Sequence, residues 1–276
     1  MSGRLEGRTA IITGAGRGLG RACATAFAAE GAALALVDIA ADITEVPYHL
    51  ASRSQLEHTA SLCRERGVPV LALTADVRDT QDVTRVVADT VERFGAVDVL
   101  VNNAGIAGPS GRMVHEVGDE QWSVMMDVNL TAPWRMMRAV GPGMVERRRG
   151  SIVNIASTAG LVGYRHFAGY VASKHGLIGL TKAAALDYAP FRVRVNALCP
   201  GSIRDGGANE GRMLAEIGRS IGIDPADHEE AFVTQQPMNA LVEADSVASA
   251  AVWLASDESV HATGSFITVD GGYSAR

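Results

Sequence analysis

Ser157, Tyr170 and Lys174 have the types and spacing for proton chemistry at a hydroxyl or carbonyl oxygen. Tyr170 and Lys174 stand at i and i+4, so on a helix both project from one face and the ammonium can lie beside the phenol. An unperturbed tyrosine ionises near pH ~10 and is a poor base at neutrality. A neighbouring cation favours its phenolate, so the Tyr170 phenol is expected to titrate lower and to exchange a proton with a substrate oxygen. Ser157, at the end of an apolar run thirteen residues earlier, supplies a hydroxyl that can donate to that oxygen as negative charge develops. Alone, a tyrosine and a lysine one turn apart are more commonly a packing anchor and a solvated charge, so the reading depends on what surrounds them.

The surroundings point to a dinucleotide. Thr13-Gly14-Ala15-Gly16-Arg17-Gly18-Leu19-Gly20 follows a short apolar run and leads into an alanine-rich segment. Glycines let a backbone turn sharply and approach a pyrophosphate, and the N–H groups opening a helix attract negative charge. The spacing is G-x-x-x-G-x-G, with Leu19 where G-x-G-x-x-G would place its third glycine. Asp38 ends the second apolar run, eighteen residues beyond Gly20, where a carboxylate accepts hydrogen bonds from the adenosine ribose. It would repel the 2′-phosphate of NADP. Arg17 pulls the other way, but repulsion inside a desolvated pocket outweighs one exposed attraction, so NAD is the expected cofactor. Asp76-Val77 and Asn102-Asn103-Ala104-Gly105 close the next two runs: Asp76 is expected to hold the adenine amino group, and Asn103, Ala104 and Gly105 to pass the ribose. The oxidised nicotinamide ring would add a second positive charge near Tyr170.

The elements that must position these residues alternate in the βαβ manner. Strands are predicted over 9–12, 33–37, 68–73, 97–101, 151–155, 193–198 and 266–269. Helices are predicted over 18–29, 55–66, 80–94, 121–147, 169–188 and 243–255. That is an α/β chain, one doubly wound domain over 1–276 with about seven parallel strands. Two stretches break the rhythm: an insertion at about 39–54, and a segment at about 202–237 with Met213, Ile217, Ile221 and Phe232 as apolar islands, expected to be a substrate lid with short helices.

Composition removes other classes. Hydrophobic residues are 47% and the net charge is −6; no basic stripe invites nucleic acid, and no apolar run is long enough for a membrane span. Without a signal-like apolar core near Met1, a cytoplasmic location is expected. Cys23, Cys63 and Cys199 match neither a disulfide framework nor a metal site, and no metal is expected.

In this order the residues resemble the short-chain dehydrogenase/reductase (SDR) family over practically the whole chain. The resemblance implies a Rossmann-type fold and a catalytic tetrad of Asn129, Ser157, Tyr170 and Lys174. Within it Asn129 kinks a helix and orders a water that links Lys174 to solvent. Pro200, Gly201 and Ile203 would flank the nicotinamide, and Tyr170 and Lys174 would also contact the cofactor. Asp205 stands where that family commonly has a threonine that holds the carboxamide, a departure from the family pattern. The reaction implied is reversible hydride transfer between NAD(H) and a secondary alcohol or ketone, with an apolar cyclic or terpenoid alcohol as first choice. The insertion sequence after Asp38 resembles the carveol-dehydrogenase-like, mycofactocin-associated branch, in which it folds over the adenosine side and can retain NAD. The resemblance also implies a homotetramer. Tyr164, His166 and Phe167 would form one pocket wall, with Met213, Ile217 and Phe232 on the lid. An NADPH-dependent 3-ketoacyl (acyl-carrier) reductase would share the same tetrad, and a nucleotide-binding module without turnover is the alternative from another class.

Overall fold

The aliphatic runs form strands β1 (Thr9–Thr13), β2 (Ala33–Asp38), β3 (Val70–Thr74), β4 (Val99–Asn102), β5 (Gly150–Ile155), β6 (Val193–Pro200) and β7 (Phe266–Val269) in a computed structural model that describes residues 3–224 and 226–275. Among these residues the strands make one seven-stranded sheet in the order β3-β2-β1-β4-β5-β6-β7, every neighbouring pair parallel. Strands β1, β4, β5 and β6 are buried throughout, which is why they read as continuous apolar runs without alternation. The order reverses between β1 and β4, and a crevice opens there at the carboxyl ends of the strands.

Helices cover both faces. On one, α1 (Gly18–Ala29), α2 (Arg53–Arg64) and α9 (Ala244–Ala255) pack through Phe27, Leu56, Val247 and Leu254 onto Ile12, Leu34 and Val101. On the other, α3 (Thr80–Phe94), α5 (Ala132–Arg147) and α6 (Ala168–Tyr188) enclose Val86, Met136, Val140 and Ala185 against Ile11, Leu100 and Ile152. Local signals set the helix ends. Ser52 and Gln55 form a reciprocal capping box at α2, and Asp79 accepts from the Gln81 and Asp82 N–H groups at α3.

The single helix expected over 121–147 is not continuous. It begins as α4 (Asp119–Met126), passes through one π-helical turn at Asp127–Thr131, and resumes as α5. Apolar periodicity does not register one extra residue in a turn, and such turns commonly mark functional sites. The expected insertion lies between β2 and α2, where Ile43 and Val46 are buried against Ile106, Val124 and Met125. The lid carries the short helices α7 (Met213–Ser220) and α8 (His228–Val233); its residue 225 lies outside the described residues.

Candidate active site

A cavity of about 380 Å³ sits over the crevice, and in it the predicted nucleotide residues meet Ser157, Tyr170 and Lys174, while Asn129 lies behind its lining. On the nucleotide side the glycine loop runs against β4. A Cβ on Gly20 would stand 1.9 Å from the Gly14 carbonyl oxygen, and Gly14, at φ +64°, would put one 2.8 Å from the Ala104 Cα. Only glycine fits either position. Asn103 latches the loop, its Nδ2 donating to the carbonyls of Thr13 (2.9 Å) and Gly14 (3.1 Å), while Thr13 Oγ1 accepts from the Asn103 and Ala104 N–H groups at 3.0 Å each. The Asp38 carboxylate accepts from the N–H of Gly16 at 2.9 Å and of Ala40 at 3.2 Å, and burial pushes its pKa up. Arg17 lines the cavity, but its guanidinium donates to the His49 carbonyl of the insertion at 2.6 Å, and burial lowers its pKa. Gly18, Leu19, Val77, Gly105, Pro200, Gly201 and Ile203 line the cavity as expected. Asp76 lines it too, held by Arg78 through bonds of 2.7 to 3.1 Å, so any adenine contact falls to a carboxylate already shared with a guanidinium. The bare cradle, the helix N-terminus behind it and the buried acid fit NAD.

On the reacting side, Ser157 follows β5, its hydroxyl accepts from the Ala159 N–H at 3.1 Å, and its proximity to the Tyr170 phenol acts to lower that phenol's pKa. Tyr170 and Lys174 share one face of α6. The Lys174 Nζ lies 5.7 Å from the centre of the Tyr170 ring and donates to the Ile155 carbonyl at 2.8 Å. Asn129 sits in the π turn with its amide fully used: Oδ1 accepts from the Ile106 N–H at 2.9 Å, and Nδ2 donates to the Ile106 carbonyl at 2.8 Å. A Cβ on Gly105 would come 3.3 Å from Asn129 Oδ1 and 3.6 Å from Lys174 Nζ. Gly105 therefore borders the gap between the two.

One electrostatic expectation is overturned. Tyr170 does not titrate low in the protein alone: burial pushes its phenol up to about 12, and the neighbouring Ser157 hydroxyl only partly offsets this. Burial likewise brings Lys174 down to about 8. Both groups leave water, each neutral form is favoured, and one ammonium with its own desolvation penalty does not stabilise a phenolate enough to reverse that.

Around these groups Tyr164, Phe167, Met213, Ile217 and Phe232 line the cavity, as expected. His166 does not; it takes a left-handed backbone (φ 69°), and its carbonyl accepts from the Gly111 N–H. Sequence reasoning missed Tyr48. Its hydroxyl accepts from the Ala107 N–H at 3.0 Å, and its ring joins Ile43, Val46, Ile106 and Tyr170 in one apolar cluster, so the insertion packs against the reacting tyrosine. The available signal was a lone tyrosine among the aliphatic residues of the insertion. The lid's anchors were also missed: Arg21 donates to the Ala208 carbonyl at 2.9 Å and pairs with Glu210 at 3.2 Å, and Gln55 donates to Glu210. Asp205, the departure from the family pattern, accepts from the Leu214 N–H (3.2 Å) and the Ala215 N–H (2.6 Å) at the start of α7.

Residues 14–274 match a family model described as enoyl-(acyl carrier protein) reductase. Among curated proteins the chain is 37% identical to a (−)-trans-carveol dehydrogenase of Rhodococcus erythropolis, over 98% of both chains. It is 35% identical to a trans-4-hydroxycyclohexanecarboxylate dehydrogenase of Sinomonas cyclohexanicum, over 100% of this chain and 96% of the other. Among solved structures, carveol dehydrogenase from Mycobacterium avium in complex with NAD superposes with a TM-score of 0.91 at 32% identity, covering 100% of both chains.

Proposed function

The chain belongs to the short-chain dehydrogenase/reductase family, and on that premise we propose that this NAD-dependent oxidoreductase interconverts secondary alcohols and ketones with Tyr170 as its general acid and base. One observation carries the assignment: Ser157 and Tyr170 line the same cavity as the glycine cradle and Asp38, with Lys174 Nζ 5.7 Å from the centre of the Tyr170 ring.

Gly14, Arg17, Gly18, Leu19 and Asp38 hold the adenosine and pyrophosphate, with Asp76, Val77, Asn103, Ala104 and Gly105 along the ribose side and Pro200, Gly201 and Ile203 by the nicotinamide. Bound NAD supplies the hydride acceptor and, when oxidised, a positive ring beside the reacting groups. Ser157 Oγ donates to the substrate oxygen, and Tyr170, having first released its own phenolic proton towards solvent, takes the alcohol proton on Oη as the carbinol C–H pair departs as hydride and the carbonyl forms. Lys174 Nζ, near the phenol, stabilises the charge on Tyr170 Oη as that proton moves. Asn129 fixes the π turn and the backbone at Ile106, and so keeps the gap between itself and Lys174, bordered by Gly105, through which the proton reaches solvent. In the reductive direction each step reverses.

Asp38 favours this reading over an NADPH-dependent 3-ketoacyl reductase, because its buried carboxylate stands where a 2′-phosphate would need a cation. The apolar lining from Phe167, Met213, Ile217 and Phe232 suits an alicyclic or terpenoid alcohol. The named relatives are dehydrogenases of carveol and of a hydroxycyclohexanecarboxylate, and the insertion resembles that of the carveol-dehydrogenase-like branch. We further propose one domain over 1–276 and a cytoplasmic homotetramer. Trp122, Trp134 and Leu186 on α4, α5 and α6, and Phe266 on the edge strand β7, are exposed apolar residues suited to interfaces between copies.

The test is Tyr170→Phe assayed with NAD+ and cyclohexanol. Loss of a proton-transfer group is expected to lower kcat by at least about a hundredfold while NADH binding persists. Unchanged turnover would overturn the assignment.

A further inference from the structure

The C-terminal turn touches three walls of the cavity at once. Asp270, buried, accepts from the N–H groups of Gly272 (3.1 Å) and Ser274 (2.8 Å) and from the Ser274 hydroxyl (2.6 Å), which fixes the turn. A Cβ on Gly201 would stand 2.9 Å from the Asp270 Cα, so the turn backs directly onto the Pro200-Gly201 segment. The Met238 N–H donates to the Gly271 carbonyl at 3.2 Å, tying the turn to the end of the lid. The third contact is aromatic. The Tyr273 ring stacks on Tyr164 with centroids 5.8 Å apart and planes 11° from parallel. Tyr164 lines the cavity, and its hydroxyl lies 2.8 Å from Thr158 Oγ1, next to Ser157.

Tyr164 is thus held between Thr158 and Tyr273. An aromatic side chain on a loop is free to turn about its first side-chain bond unless its faces are covered, and a stacked partner supplies that cover. We infer that Tyr273 is a specificity-determining residue of this oxidoreductase: stacked on Tyr164, it fixes the wall against which the ring of a cyclic alcohol packs. The inference rests on the reading of this cavity as the alcohol site. Tyr273 acts through Tyr164 and is a positioning residue. A small acyclic alcohol does not reach that wall and is indifferent to it, so the signature is size-dependent and appears in KM more than in kcat.

The experiment compares the full-length protein with its Tyr273→Ala and Tyr273→Phe variants, using NAD+ with carveol, cyclohexanol and 2-propanol. Tyr273→Ala is expected to raise KM for carveol about tenfold, to raise it less for cyclohexanol, and to leave the 2-propanol constants and all kcat values within about threefold. Tyr273→Phe, which retains the stack, restores most of the carveol KM. Alcohol binding to the NADH complex, followed by NADH fluorescence, should weaken in the same order, a readout that needs no turnover. Equal changes for all three alcohols, or none, would overturn the inference while leaving the alcohol dehydrogenase reading intact. Absence of alcohol oxidation and of alcohol binding in the unmodified protein would overturn both.

Discussion

Lys174 lies 5.7 Å from the centre of the Tyr170 ring yet directs its hydrogen bond to the Ile155 carbonyl, so the ammonium acts on the phenol through space. In the protein alone, burial holds the phenol near 12 and the ammonium near 8. The site therefore starts with a neutral tyrosine, and Lys174 is the group that titrates just above neutrality.

A difference between the two oxidation states of the cofactor follows. Below pH 8 the free protein carries a protonated Lys174, and a cationic nicotinamide nearby opposes that charge, so binding NAD+ releases a proton. Affinity for NAD+ should then rise with pH, by up to about tenfold between pH 7 and 9, whereas NADH, whose ring is neutral, should show little change. Titration calorimetry in buffers of different ionisation enthalpy measures the released proton directly. Lys174→Met should flatten the NAD+ profile, and parallel profiles for the two cofactors would defeat the argument.

Asp38 makes a second prediction possible because its backbone partners and its charge can be separated. Asn in its place keeps an acceptor for the Gly16 N–H and removes the negative charge that faces a 2′-phosphate. Asp38→Asn should reduce the preference for NAD+ over NADP+ in kcat/KM by roughly tenfold or more, with part of the change a loss on NAD+ itself. A ratio within twofold of the original would place cofactor choice elsewhere, with Arg17 the first alternative.

Asn129 is 1% exposed and binds both backbone groups of Ile106. Asn129→Leu preserves volume and strands a buried N–H and a buried carbonyl, which costs about 2–5 kcal/mol in total. Urea unfolding should register that loss. Turnover should fall further than the remaining folded fraction explains, because the backbone beside Lys174 is no longer fixed. Native stability in this variant would mean that the π turn holds itself.

Much of this site was legible because its parts are local. The glycine loop, Asp38, Ser157 and the Tyr170–Lys174 pair each follow a strand end or share one helix turn, and periodicity places those. Asn129 was reached only by family resemblance, since its partner Ile106 lies on another loop and the π turn leaves no mark in the apolar pattern. Tyr48 and Tyr273 were illegible for the same reason: each acts on a residue distant in the chain, and no spacing rule spans a fold. The Tyr170 pKa was misjudged because the sequence displays the lysine but not the depth of burial, and burial decides the sign.

Asp205 yields the last prediction. It caps a helix lying outside its own turn: its two oxygens take the N–H groups of Leu214 and Ala215, while Arg212, directly before α7, offers no side-chain cap. A carboxylate there satisfies two otherwise unpaired donors and faces the positive end of the helix, which together stabilise α7 by about 1–2 kcal/mol. Asp205→Ala should therefore raise the hydrogen-exchange rates of the 213–220 amides roughly tenfold and leave those of β5 and β6 unchanged. Because Met213 and Ile217 line the cavity from α7, KM for cyclic alcohols should rise with it. Asp205→Thr, whose single hydroxyl cannot accept from both N–H groups, should resemble Asp205→Ala in exchange. If α7 stays protected in both variants, the lid is held instead by the grip of Arg21 and Gln55 on Glu210, and disrupting Glu210 should then release it.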